Sequence, residues 1–88
     1  MKPVYIKIDE YGNRSYYSDA AMTILHRTDG PAIERAEGSQ AWLVHGKLHR
    51  TDGPACEYAS GSKDWYLNGQ RLSEAKFLTA TAPRWYLR

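Results

Sequence analysis

Seven consecutive residues recur unchanged 23 positions apart: His26-Arg27-Thr28-Asp29-Gly30-Pro31-Ala32 and His49-Arg50-Thr51-Asp52-Gly53-Pro54-Ala55. The same offset relates Glu34 to Glu57, Gly38 to Gly61, Trp42 to Trp65 and Gly46 to Gly69. Self-similarity at a fixed period marks a chain built from supersecondary units that cannot bury their apolar faces alone and must stack. A looser copy begins at Gly12, with Tyr16 where the later units carry tryptophan. Three extra residues between Tyr16 and His26 put that copy out of step. The expected organisation is a single domain over residues 1–88, with copies at about 12–37, 38–60 and 61–72.

Each unit reads as β-hairpin. Trp65-Tyr66-Leu67 is strand-like and leads into Asn68-Gly69, a strong hairpin-turn signal; His45-Gly46 is the equivalent turn one unit earlier. The short strand Lys47-Leu48-His49-Arg50 follows, and Asp52-Gly53-Pro54 then reverses the chain, glycine being able to take positive φ and proline lacking an amide for a ladder. Ala55-Cys56-Glu57-Tyr58 is the next strand, closed by Ser60-Gly61-Ser62, and Val4-Tyr5-Ile6-Lys7-Ile8 alternates as a first strand. The fold class expected is mainly β: an antiparallel meander of tandem hairpins. At the carboxyl end Leu72-Ser73 replaces the His-Arg pair. Ser73 is a good N-cap, and Leu72 and Phe77 stand at the two positions of a hydrophobic staple. Lys76 sits where a capping box would have glutamate. This predicts a short capping helix at about Glu74 to Thr81, stopped by Pro83, and a tail over 83–88.

Composition narrows the function classes. A formal charge of +2 is too mild to announce a nucleic-acid binder and excludes a heavily acidic nucleic-acid mimic. The single cysteine, Cys56, cannot staple the fold, which suits a reducing cytoplasm. No apolar run approaches the ~20 residues of a membrane span, and residues 1–10 lack the apolar core of a signal peptide. A cytoplasmic protein without membrane partners is therefore expected. Seven tyrosines and three tryptophans against one phenylalanine suit half-buried sheet faces or an interface equally well.

The period, the Asn-Gly or His-Gly turn, Lys47-Leu48-His49 and Glu57-Tyr58-Ala59-Ser60-Gly61 resemble a MORN-type repeat. More closely, the chain resembles the MORN-like repeat marked by His-Arg-x-Asp-Gly-Pro-Ala, found in small proteins of bacteriophages and some bacteria. The likeness covers roughly residues 12–78 and departs from MORN proper at Arg50-Thr51-Asp52, where that family has a glycine. It implies a sheet of hairpins used for protein contact, often in a phage protein, and it brings no catalytic residues.

Several residues invite chemistry. His26/Asp29 and His49/Asp52 recur at i, i+3 and could supply four metal ligands; the alternative is a strand histidine and a turn aspartate bonding nearby backbone amides. Recurrence once per unit favours the alternative, and no metal or other cofactor is expected. Arg27 and Arg50, with Arg14 and Arg71, could form a basic ladder for phosphates, or Arg27 and Arg50 could pair with Glu34 and Glu57. Trp42 and Trp65 read as core residues of successive hairpins, or as a base-stacking platform. Cys56 occupies the position of Ile33 one unit earlier, which suggests a buried, inert thiol. Nothing resembles a nucleophile elbow or a phosphate loop, and no enzyme is expected.

Positions identical between units are what any such hairpin needs, so partner specificity is expected where units differ and at the irregular ends. The candidates are Tyr16, Tyr17, Lys47, Lys63, Arg84, Trp85, Tyr86 and Arg88. The functional expectation is a small non-enzymatic protein-binding module that inhibits a host protein, such as a defence or nucleic-acid-processing complex; that a phage encodes it is what the resemblance implies. A nucleic-acid or nucleotide binder using Arg14, Arg27, Arg50 and Arg71 is the alternative, and a structural module of a virion or assembly is a third. The oligomeric state is open, a dimer included.

Overall fold

A computed structural model describes residues 4–82 of the chain. Nine short strands and one helix follow in order: β1 (Tyr5–Ile8), β2 (Arg14–Tyr17), β3 (Ile33–Glu34), β4 (Gln40–Ala41), β5 (Leu43–Val44), β6 (Lys47–Leu48), β7 (Cys56–Glu57), β8 (Lys63–Leu67), β9 (Gln70–Leu72) and α1 (Glu74–Thr81). Seven strands form one antiparallel sheet in the order β1-β2-β3-β4-β7-β8-β9, and β5 and β6 form a separate two-stranded hairpin. The protein is mainly β. The separate hairpin is a departure from a single unbroken meander, and its cause is local.

That cause is a change of pairing partner at one aromatic residue per unit. The Trp42 amide donates to the Ala55 carbonyl in the long sheet, while its carbonyl accepts from the His49 amide in the hairpin. Tyr16 makes the same two bonds, to Ala32 and from His26. Trp65 stands at the equivalent point of β8, whose first residues pair with β7 and whose last three pair with β9. The strand thus changes partners halfway along. Where the change interrupts pairing, at Trp42, β4 and β5 separate; in β8 the strand runs through.

The hairpins also join one another side by side. The Arg27 amide donates to the Leu43 carbonyl and the Gly46 amide to Leu25; one unit on, Arg50 donates to Tyr66 and Gly69 to Leu48. The tight turns have the backbone their residues predict. His45 and Asn68 take φ of 51° and 52°, followed by Gly46 at 78° and Gly69 at 83°. Positive φ at both central positions matches the right-handed twist of the flanking strands. The first unit's additional residues make a wider loop held by Asp19, whose carboxylate accepts from the amides of Thr23 and Ile24 and from the Thr23 hydroxyl. Tyr17 and Leu25 still bridge across it.

The core is small. Ala32 and Ala55 are wholly inaccessible at 0 %, with Tyr16, Leu43, Cys56 and Phe77 also buried. Across the sheet, large and small side chains alternate in one register row, Tyr16, Ala32, Trp42, Ala55, Trp65, so the alanines fill the spaces between rings. At the carboxyl end the Ser73 hydroxyl accepts from the Lys76 amide at 3.2 Å and starts α1 over Glu74–Thr81, the span the capping signals predict. The helix packs on β8 and β9 and buries Phe77. No helix among the described residues is long and apolar enough to cross a membrane. The tail candidates Arg84, Trp85, Tyr86 and Arg88, and the stop at Pro83, lie outside the described residues.

Candidate functional site

The two faces of the sheet carry different kinds of surface. On one, the two repeated heptapeptides fold into near-identical loops built around an arginine. The Arg50 guanidinium lies 3.7 Å from the centre of the Trp42 ring, and that of Arg27 lies 4.0 Å from the centre of the Tyr16 ring. Arg50 Nε donates to Asp52 at 2.8 Å, and Nη1 donates to the Pro54 carbonyl at 3.1 Å and to Glu57 at 2.8 Å. Arg27 repeats the pattern on Asp29, the Pro31 carbonyl and Glu34 at 3.0, 3.2 and 3.4 Å. Each guanidinium is therefore closed on one face by a ring and along its edge by three acceptors, an arrangement that suits its planar, weakly hydrated charge.

The loop glycine completes the stack, and for a reason other than turn conformation. Neither Gly30 nor Gly53 takes positive φ. A Cβ at Gly30 would stand 2.9 Å from Arg27 Cζ, and one at Gly53 the same distance from Arg50 Cζ. The guanidinium is sandwiched between aromatic ring and glycine backbone, which leaves no room for a side chain. The aspartates also differ from expectation. Asp29 and Asp52 accept from arginine Nε rather than from turn amides, and the Arg50 charge and hydrogen bond hold the Asp52 carboxyl below its ordinary value.

The repeated histidines act between units. His26 Nδ1 accepts from the His45 amide at 2.9 Å, and His49 Nδ1 accepts from the Asn68 amide at 3.0 Å. Each thus latches the tight turn of the following hairpin, which requires an unprotonated Nδ1. Among the described residues no group of three or more His, Cys, Asp or Glu side chains is disposed to hold a metal ion. A cleft of about 490 Å³ runs between the two loops, lined by Arg27, Thr28, Asp29, Trp42, Arg50 and Asp52 among others. Its polar lining is largely engaged in the contacts just described.

The sequence-derived candidates do not converge. Tyr16 is 8 % exposed, capped by Arg27, and its hydroxyl donates to Glu34 at 2.7 Å, so its ring is enclosed by contacts within the fold. Tyr17 is half-buried, opposite Tyr5 in β1. Lys47 is exposed, but its aliphatic stem lies against the Gly69 turn. Arg14 and Lys63 are exposed at opposite ends of one register row, facing Glu34 and Glu57 across the strands. Arg71 pairs with Asp64 at 2.9 Å. Trp42 and Trp65 are half-buried, with one side on the sheet, rather than enclosed in a core.

The opposite face holds a second groove, of about 350 Å³, and its lining is of another kind. Ile33, Ala41 and Cys56 form an apolar floor in one register row, rimmed by Arg35, Glu37, Gln40 and Tyr58. These are positions at which the units differ: Ile33 corresponds to Cys56, Arg35 to Tyr58 and Gln40 to Lys63. Burial pushes the Cys56 thiol up, which favours its neutral form on the apolar floor. The Tyr58 hydroxyl donates to Asp64 at 3.0 Å, and that bond pushes its pKa up to about 12. The Glu37 carboxyl is held low by its hydrogen bonding to Ser39, with the Arg35 charge adding to the effect. Sequence reasoning missed this set. The mismatch between units at 33/56 and 35/58 was the available signal, but which face those positions share follows only from strand register.

Scanned against protein-family models, the chain matches none, and comparison with curated proteins and with solved structures returns no match. The class defined by fold and surface is a mainly β chain of laterally joined hairpins, with one face committed to internal contacts and the other presenting a groove.

Proposed function

We propose that this chain is a non-enzymatic protein-binding module that meets its partner with the groove floored by Ile33, Ala41 and Cys56. One observation carries the proposal. The repeated polar side chains spend their hydrogen-bonding atoms on one another and on the next hairpin, whereas the unrepeated positions gather around an apolar floor with a mixed polar rim. An apolar centre with tyrosine and arginine at its border is the composition that carries binding energy between proteins. Of the four arginines on which a nucleic-acid reading depends, Arg27 and Arg50 are paired with Asp29, Glu34, Asp52 and Glu57, and Arg71 with Asp64. The resemblance to the His-Arg-x-Asp-Gly-Pro-Ala repeat supports a phage setting, in which the chain would act in the host cytoplasm as an inhibitor of a defence or nucleic-acid-processing complex.

Affinity capture from a bacterial lysate, run side by side with the intact chain and with Ile33→Arg, tests the reading. The expected result is a specific protein retained in high salt by the first and at least tenfold depleted with the second, because an apolar contact responds little to ionic strength. Capture of nucleic acid that washes off with salt, or a protein held equally by both, would contradict it.

A further inference from the structure

The amino-terminal edge of the sheet is left in a state that proteins ordinarily avoid. β1 pairs with β2 on one side and, among the described residues, with nothing on the other. Its register sets which residues face out. Tyr5 is opposite Tyr17 and Lys7 opposite Ser15, and the Asp9 amide bonds the Asn13 carbonyl, while the Tyr16 amide points the other way, to Ala32. Tyr5, Lys7 and Asp9 therefore direct their backbone groups inward, and Val4, Ile6 and Ile8 direct theirs to the open edge. The same three residues share one face, and they are 49 %, 50 % and 61 % exposed. Open backbone groups and exposed aliphatic side chains coincide on one strand. The opposite edge is different: β9 carries the charged Arg71, is three residues long and turns directly into α1.

We propose that two copies of this chain pair through β1, antiparallel and centred on Ile6, joining the two sheets into one. The occupant follows from the strand's self-complementarity. About a two-fold axis at Ile6, Ile6 meets Ile6, and Val4 meets Ile8 of the second copy twice over. All of these are outward-facing, so each pair exchanges both backbone bonds, about six in all. The aliphatic side chains then cover one another on one face. On the other face Lys7 falls opposite Tyr5 of the second copy and clear of its own counterpart, so the axis brings no like charges together and places an ammonium beside an aromatic ring. The pairing is independent of the groove on the opposite face.

Sedimentation equilibrium of the full chain, combined with residue-resolved amide exchange at low and high concentration, tests the proposal without any substitution. The expected result is a mass that rises from one chain to two, accompanied by at least tenfold slowing of exchange at Ile6 and Ile8, while Tyr5 and Lys7 are protected throughout. Ile6→Lys sets two ammonium groups on the axis and should weaken association at least tenfold; its amide spectrum away from β1 reports that it remains folded. A chain that stays monomeric at every concentration, or a dimer in which Ile6 and Ile8 exchange freely, would overturn the proposal.

Discussion

The two grooves lie on opposite faces of the same short strands, and they differ in how their residues relate across the repeat. Around Trp42 the lining is made of residues that occur in duplicate, Arg27 with Arg50, Thr28 with Thr51 and Asp29 with Asp52. Around Cys56 the corresponding positions have diverged. The duplicated residues close on each other: ring, guanidinium, glycine, carboxylates and a proline carbonyl form a unit that holds the loop down on the sheet. The differing residues make fewer such contacts and line a groove whose apolar floor is part-buried at Ile33 and Ala41 and buried at Cys56. Identity between units therefore marks what each hairpin needs to stay assembled, and difference marks, under the proposed function, the surface that would meet a partner.

The comparison can be broken first at the ring on which the arginine rests. Trp42 carries the guanidinium, bonds both the long sheet and the separate hairpin and lies between two alanines in its row, so Trp42→Ala should lower stability by about 2–3 kcal/mol, below a fully enclosed tryptophan because the ring is half-buried. Chemical denaturation followed by far-ultraviolet circular dichroism measures this, and a loss under ~0.5 kcal/mol would return the ring to the exposed platform it resembles in sequence.

A smaller effect sharpens the argument about the loop glycine. Gly53→Ala should cost about 1–2 kcal/mol, because the added methyl meets a guanidinium that is held on its other face by Trp42. In an Arg50→Ala background the collision is gone, and the same substitution should be neutral or stabilising, since alanine restricts the unfolded chain. The coupling between the two positions, read from a double-mutant cycle, should account for most of the Gly53→Ala loss. Equal losses in both backgrounds would show that backbone conformation, and not the arginine, requires glycine there.

Much of the fold was legible because its signals are local. The turns at His45-Gly46 and Asn68-Gly69 need positive φ, and α1 begins at a serine whose side chain finds an amide three residues on. The pairing of Arg50 with Glu57 was suggested by its recurrence as Arg27 with Glu34. What stayed hidden depends on contacts made after the chain has folded. The glycine of Asp-Gly-Pro looks like a turn residue in sequence, and only the position of the guanidinium shows that it is a matter of space. Tyr16, in the irregular first copy, looks like a free aromatic, but Arg27 closes over it as Arg50 closes over Trp42. Ile33, Arg35, Cys56 and Tyr58 were visible as mismatches between units; that they share one face requires the register of β3, β4 and β7.

The central claim is that the duplicated loop residues contribute more to the fold than the differing residues at the rim of the opposite groove. Two arginines in the same molecule test it most directly: Arg50, held by Trp42, Asp52, Glu57 and the Pro54 carbonyl, and Arg35, exposed at the rim of the opposite groove. The measurement is the stability of Arg50→Ala and Arg35→Ala under identical conditions by chemical denaturation. Arg50→Ala is predicted to lose about 2 kcal/mol, through its charge-assisted hydrogen bonds and its stacking, and Arg35→Ala to stay within about 0.5 kcal/mol of the parent chain. Equal losses, or a larger loss at Arg35, would contradict the account.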